Sequence, residues 1–133
     1  MMNNKVFMSY TLKDKDFAVN LQHLMRLRGI EVSSDLSILP GQEIGPALKD
    51  MIAASSAMIA ILPETGTSGA NNVFFEIGAA KALNKIVLGL VPDRDALERI
   101  QVPSNLLDLL MIDTNHNSPE HVADTLEQAL KAA

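Results

Sequence analysis

Five short apolar runs punctuate this chain, and the segments between them carry apolar residues at helical rather than strand spacing. The runs are Val6-Phe7-Met8, Ile30 to Val32, Ala57 to Leu62, Ile86 to Val91 and Leu109 to Ile112. Strands that alternate with helices are joined by crossovers, so they predict an α/β fold with a parallel sheet covered on both faces. The third and fourth runs are apolar throughout and suit the middle of such a sheet. The mixed second run, Ile30-Glu31-Val32-Ser33-Ser34, suits an edge. The expected architecture is a single doubly wound, five-stranded parallel sheet of order 2-1-3-4-5. In that order the connections leaving strands 1 and 3 pass to opposite faces and open a crevice at the strands' carboxyl ends, where ligands bind in such folds. Ser9, Tyr10 and Pro63 to Ser68 border it.

The helices announce their limits unevenly. The first spans about Lys13 to Arg28. Thr11 is placed to cap it with Asp14 three residues on, Phe17, Leu21, Leu24 and Met25 share one face, and Gly29 ends it. The last opens at Ser118-Pro119-Glu120, a capping residue followed by a proline at the first helical position, and turns Val122, Leu126 and Leu130 inward. Gly45-Pro46 starts a helix toward Ala54, Asn71 or Asn72 starts another toward Asn84, and a short one is expected over Asp93 to Ile100. A chain of 133 residues buries roughly two-thirds of its unfolded surface on folding, so residues 1–133 are expected to form one domain. It is either a whole small protein or an excised module.

Several functions are excluded by what the chain lacks. With no cysteine, thiolate metal sites and cysteine nucleophiles are impossible. The start, Met1 to Lys5, leads straight into a short strand-like run without the apolar stretch of a signal peptide or membrane span, so the expected location is cytoplasmic, with no membrane partner. A net charge of -5 without a basic run disfavours direct nucleic-acid binding. His23, His116 and His121 fall on separate elements without ligand spacing, and no metal is assigned. No Walker loop, paired-histidine metalloprotease helix or strand-linked dinucleotide fingerprint is present. A phosphoacceptor receiver would need an acidic cluster after strand 1 and an aspartate ending strand 3, where this chain has Ser9-Tyr10 and Pro63.

The remaining residues come in a distinctive order. Val6-Phe7-Met8-Ser9-Tyr10 comes first, then Asp14 and Asp16 at the opening of helix 1, then Gly29-Ile30-Glu31-Val32 and Asp35. A long segment from Leu36 to Gly45 contains Leu39-Pro40-Gly41. Ile52 to Ala57 leads into strand 3, and Ser68 stands eight residues before Glu76, with Ala79 and Ala80 beyond. This order, over nearly the whole chain, resembles the TIR (Toll/interleukin-1 receptor) domain family, bacterial NAD-cleaving type, with Leu36 to Gly45 similar to the family's loop after strand 2, and implies a flavodoxin-like TIR fold.

The resemblance implies that Glu76 is catalytic, because NAD-consuming members use a glutamate in the helix after strand 3. The chemistry accounts for a lone carboxylate. Nicotinamide leaves as a neutral group, the ribose becomes oxocarbenium-like, and an anion near the ribose stabilises it. The plain alternative is that a glutamate in a first helical turn gains only about 0.3 to 1 kcal/mol from the helix dipole and does nothing else. Tyr10 at the end of strand 1 either stacks on the substrate or packs. Thr11, Asp35, Ser68 and Asn72 match pocket positions, although Asp and Ser are also ordinary turn residues. Two departures stand out: Asn72 sits where many members carry tryptophan, and Thr11-Leu12 where many carry basic residues. Small residues at Gly66, Ser68 and Gly69 offer backbone N–H groups to a phosphate.

The expected function is NAD+ glycohydrolysis to nicotinamide and ADP-ribose or cyclic ADP-ribose, in bacterial defence or virulence. NAD+ is the substrate and no cofactor is expected. The partners implied are other TIR domains, reached by self-association through Ile38, Leu39, Pro40, Gly41 and Ile44, and a fused or separate sensor domain. The competing readings are a non-catalytic TIR scaffold and a nucleoside deoxyribosyltransferase-like enzyme.

Overall fold

The computed structural model describes residues 5–34, 44–64, 66–91, 110–113 and 118–132. In chain order these form β1 (Lys5–Ser9), α1 (Lys15–Leu27), β2 (Glu31–Ser33), α2 (Ile44–Ala54), β3 (Ala57–Ile61), α3 (Ala70–Ala82), β4 (Ile86–Val91), β5 (Leu110–Asp113) and α4 (Pro119–Ala132). The five strands make one sheet of order β2-β1-β3-β4-β5, and every pairing is parallel. This is the α/β arrangement expected from the five apolar runs. β3 pairs with β1 through Met8↔Ile59 and with β4 through Ile59↔Leu88.

The period-2 alternation of each strand sorts its side chains between two cores. Val6 and Met8 of β1, with Ile59, Ile61, Leu88 and Leu90, pack against Leu21 and Met25 of α1 and Val122 and Leu126 of α4. Phe7, Met58 and Ala60 face the other way, onto Leu48 and Ile52 of α2 and Val73, Ile77 and Ala80 of α3. Each fully buried Leu, Ile or Met contributes about 1.5–3 kcal/mol relative to exposure. Ser9, two residues after Phe7, therefore lies on the α3 side of the sheet.

The helix ends depart from the expectation in instructive ways. Thr11 does not cap α1. The chain first makes a single 3-10 turn over Leu12–Asp14, closed by the Asp14 N–H donating to the Thr11 carbonyl at 3.0 Å, so the helix begins at Lys15 after Asp14. Neither Asn71 nor Asn72 opens α3, which starts at Ala70 after Gly69 with φ +86°. Two successive turns precede it, in which Thr67 N–H donates to the Glu64 carbonyl and Ala70 N–H to the Thr67 carbonyl, each at 3.1 Å. Gly66 and Gly69 occupy the third position of these turns at positive φ, where a side chain would strain the backbone. That geometry explains both glycines, and it commits the Thr67 and Ala70 N–H groups to turn bonds rather than to a phosphate. Ile44 and Gly45 begin α2 instead of ending the preceding loop. Ser118 behaves as expected, its Oγ accepting from His121 N–H at 3.2 Å. The helix anticipated over 93–100, and positions 35–43 with Asp35, Ile38, Leu39, Pro40 and Gly41, lie outside the described residues.

Candidate functional site

Glu76 is the exception on an otherwise apolar face. Val73, Ile77 and Ala80 form the buried stripe of α3, and Glu76 lies in it at helical spacing, 4% exposed. It is the seventh residue of α3 (Ala70–Ala82), so the dipole of a first turn does not account for it, contrary to the plain reading of the sequence. A carboxylate removed from water carries a desolvation cost of several kcal/mol unless it is hydrogen-bonded. Part of that cost is met by Ser9, whose Oγ donates to Glu76 Oε1 at 3.2 Å across 67 residues of sequence. Ser9 is itself 2% exposed. The parity of β1 aims this hydroxyl at α3, which is why one residue earlier or later would not serve.

Glu76 is not sealed in the core. It forms part of the wall of a cavity of about 300 Å³ lined also by Tyr10, Thr11, Leu12, Ser68, Gly69 and Asn72. The segments that follow β1 and β3 line it, as expected for the crevice of this topology. Five sequence-derived candidates, Tyr10, Thr11, Ser68, Asn72 and Glu76, thus meet at one cavity. Tyr10 is half-buried and also packs against the core of the α1 and α4 side, so both of its anticipated roles are compatible with its place. Thr11 is buried, whereas Ser68 and Asn72 are exposed on the opposite rim.

Sequence reasoning missed Ser9 as the partner of Glu76, and Leu12 and Lys13 as lining residues. The parity of β1 is a signal that points to Ser9. Leu12 and Lys13 are turned to the crevice by the 3-10 turn, which has no sequence periodicity to betray it. A second cavity, of about 450 Å³, is lined by Leu12, Lys13, Glu64, Gly66, Thr67 and Ser68. Beside it the half-buried Asp14 has its carboxyl pushed above the ordinary carboxylate value by burial. Lys13 and the Thr11 hydroxyl oppose that shift, and Glu64 adds to it. The Thr11 hydroxyl donates to Asp14 Oδ2 at 3.5 Å. Among the described residues no cluster of three or more His, Cys, Asp or Glu is placed to hold a metal ion, and no helix is long and apolar enough to cross a membrane.

Comparison with known proteins agrees with this architecture. The TIR domain of the Toll-related receptor TRR-2 from Hydra magnipapillata superposes with a TM-score of 0.71 at 16% identity, covering 98% of this chain and 99% of that one. A TIR domain from the RPS4 and RRS1 heterodimer gives a TM-score of 0.64 at 14% identity, covering 96% of each. The CMP N-glycosidase BcmB of Clostridium botulinum gives 0.60 at 18% identity, covering 93% of this chain and 98% of that one. At these identities the likeness is one of fold. No curated protein matched the sequence. The family model described as TIR domain matches residues 6–130. That span takes in every element from β1 to α4, and the chain belongs to the TIR domain family.

Proposed function

We propose that this TIR domain cleaves the N-glycosidic bond of NAD+, with Glu76 as the catalytic carboxylate. The observation that carries the reading is a buried carboxylate held on the apolar stripe of α3 by the Ser9 hydroxyl at 3.2 Å, on a residue that lines a cavity with Tyr10, Thr11, Ser68 and Asn72. A fold does not retain a buried acid on a core-facing position for stability, because an apolar residue there is cheaper. Such groups cluster at functional sites.

In the reaction the bond between ribose C1′ and the nicotinamide nitrogen breaks, and nicotinamide leaves neutral with the bonding pair. Positive charge spreads over C1′ and the ring oxygen, where the Glu76 carboxylate stabilises it. Water then adds to C1′ and loses a proton to give ADP-ribose, or an internal nucleophile of the substrate closes cyclic ADP-ribose. Tyr10 offers a face for a ring of the substrate, while Ser68 and Asn72 offer hydrogen bonds from the opposite rim. The same reading has the domain work by self-association with other TIR domains through the segment around Ile38, Leu39, Pro40, Gly41 and Ile44, under control of a sensor. A competing reading, a TIR module that only pairs with its kind, is favoured by Asn72, an exposed amide where an aromatic would grip substrate better.

Incubating concentrated protein with NAD+ and measuring free nicotinamide separates the two. Glu76→Gln keeps size and helix propensity but removes the charge, and losing one preorganised electrostatic group lowers kcat by about 10²–10³. A folded Glu76→Gln protein with near-normal turnover, or a wild type that releases no nicotinamide at any concentration, refutes the enzymatic reading.

A further inference from the structure

The outward face of α3 differs from that of the other described helices. α1 exposes Lys15 and Asp16, α2 exposes Lys49 and Asp50, and α4 exposes Glu120 and Asp124. The exposed residues of α3 are Asn71, Asn72, Phe75 and Ala82, and none of them is charged. Phe75 is 70% exposed, the one aromatic ring so placed among the described residues. Gly78 follows one turn later in mid-helix, where glycine is less stable than alanine. The packing of the chain on itself does not call for a glycine there, because a Cβ built on Gly78 would meet nothing within 4 Å. The face therefore presents a projecting ring beside an open patch that has no side chain.

Asn71, Phe75, Gly78 and Ala82 follow one another at intervals of four, three and four residues, the spacing of a seam between two paired helices. These intervals read the same in both directions. In an antiparallel pair centred between positions 75 and 78, Phe75 of one copy meets Gly78 of the other, and Asn71 meets Ala82. Each larger residue opposes a smaller one, and two-fold symmetry makes every such contact twice. The chain carries a net charge of -5, so two copies repel one another in general; across this uncharged face they approach with no like charges in contact. From these observations we propose that α3 pairs antiparallel with α3 of a second copy of this chain along Asn71, Phe75, Gly78 and Ala82. The proposal does not depend on the catalytic reading, and it uses residues apart from the segment around Ile38 to Ile44. A helix of 13 residues offers a face about 20 Å long and about 10 Å wide, well below the roughly 800 Å² per partner of a standard stable interface. The pair is accordingly weak, with a dissociation constant between about 10 μM and 1 mM, and it forms where copies are gathered together.

Sedimentation equilibrium of the whole chain from about 10 μM to 1 mM should show a monomer–dimer equilibrium. Phe75→Ala removes two buried rings from each pair and should raise the dissociation constant at least about tenfold. Gly78→Gln fills the open patch and should weaken the pair to a similar degree without lowering the melting temperature, since the added side chain starts into open space. The chain has no cysteine, so disulfide trapping reports the register directly. The double variant Asn71→Cys/Ala82→Cys should form covalent dimers under mild oxidation, and neither single variant should. Within one copy the two positions are about 16 Å apart along the helix, too far for an internal disulfide. A chain that stays monomeric to about 1 mM, a dimer indifferent to Phe75→Ala or to Gly78→Gln, or trapping of the single-cysteine variants in place of the double one overturns the proposal.

Discussion

Replacing Ser9 by alanine removes one oxygen from a position that is 2% exposed, with little change in packed volume, so its effect isolates the hydrogen bond to Glu76. That bond spans 3.2 Å between two groups withdrawn from water. A hydrogen bond to a charged group contributes about 1.5–3 kcal/mol and one between neutral groups about 0.5–1.5 kcal/mol. Ser9→Ala should therefore destabilise the domain by about 1.5–3 kcal/mol, or roughly 5–12 °C in melting temperature for a chain of this size. In a Glu76→Gln background the bond becomes neutral, and the same substitution should cost about 1 kcal/mol less. Urea unfolding of the four proteins of this double-mutant cycle measures the difference, which stands above the ~0.3–0.5 kcal/mol scatter of independent sites. Ser9 acts through Glu76 rather than on substrate, so Ser9→Ala should also lower kcat more than it raises KM. A Ser9→Ala protein as stable as wild type, or a coupling energy near zero, would show that the hydroxyl does not hold the carboxylate and would remove the reasoning built on it.

Tyr10→Ala should both raise KM for NAD+ and lower stability by about 3 kcal/mol, because the ring packs on the core and lines the cavity at once; kinetics without a melting shift would place it wholly in the site. Asp14→Asn should raise the melting temperature near neutral pH. Burial raises the native pKa of Asp14, so the native state binds the proton more tightly than the unfolded chain. The folded state is therefore favoured while Asp14 is protonated and loses stability as pH rises from the ordinary carboxylate range through the raised native value. The advantage of Asn should vanish on acidification below that range, and melts in paired buffers test the sign. Specific NAD+-cleaving activity should rise over a hundredfold range of protein concentration if self-association completes the site; at micromolar protein and a millimolar dissociation constant only about one molecule in a thousand is paired. Strict proportionality from a monomeric sample would show one domain to be sufficient.

Most of the architecture was legible because its signals are local. Five apolar runs, a run of small and apolar residues rich enough for the sheet centre, and helices marked by Gly29 and by Ser118-Pro119 all follow from side-chain period and backbone preference over a few residues. Their boundaries were less legible. Thr11 looked like a helix cap, but hydrogen bonding over Leu12–Asp14 tightens the chain into a 3-10 turn before α1 begins. The sequence pattern opens α3 at Asn71 or Asn72, but the two glycine turns start the helix one or two residues sooner, at Ala70. In both places a short-range turn competes with the cap on nearly equal terms, and propensity alone does not rank them.

The sequence by itself determined the strand and helix order, the parallel sheet, and the presence of a glutamate among the apolar residues Val73, Ile77 and Ala80 at helical spacing. It also carried the family resemblance that singled out Glu76. Only the tertiary structure decided what surrounds that glutamate. Strand parity turns Ser9 toward α3, the parallel pairing of β1 with β3 brings Tyr10 and Thr11 to the crevice, and the glycine turns swing Ser68 and Asn72 to its far rim. These groups are separated by up to 67 residues, and no local pattern records their meeting. The reason is physical: periodicity sets which way a side chain points along its own element, whereas the distance between elements is set by how whole faces pack against the sheet.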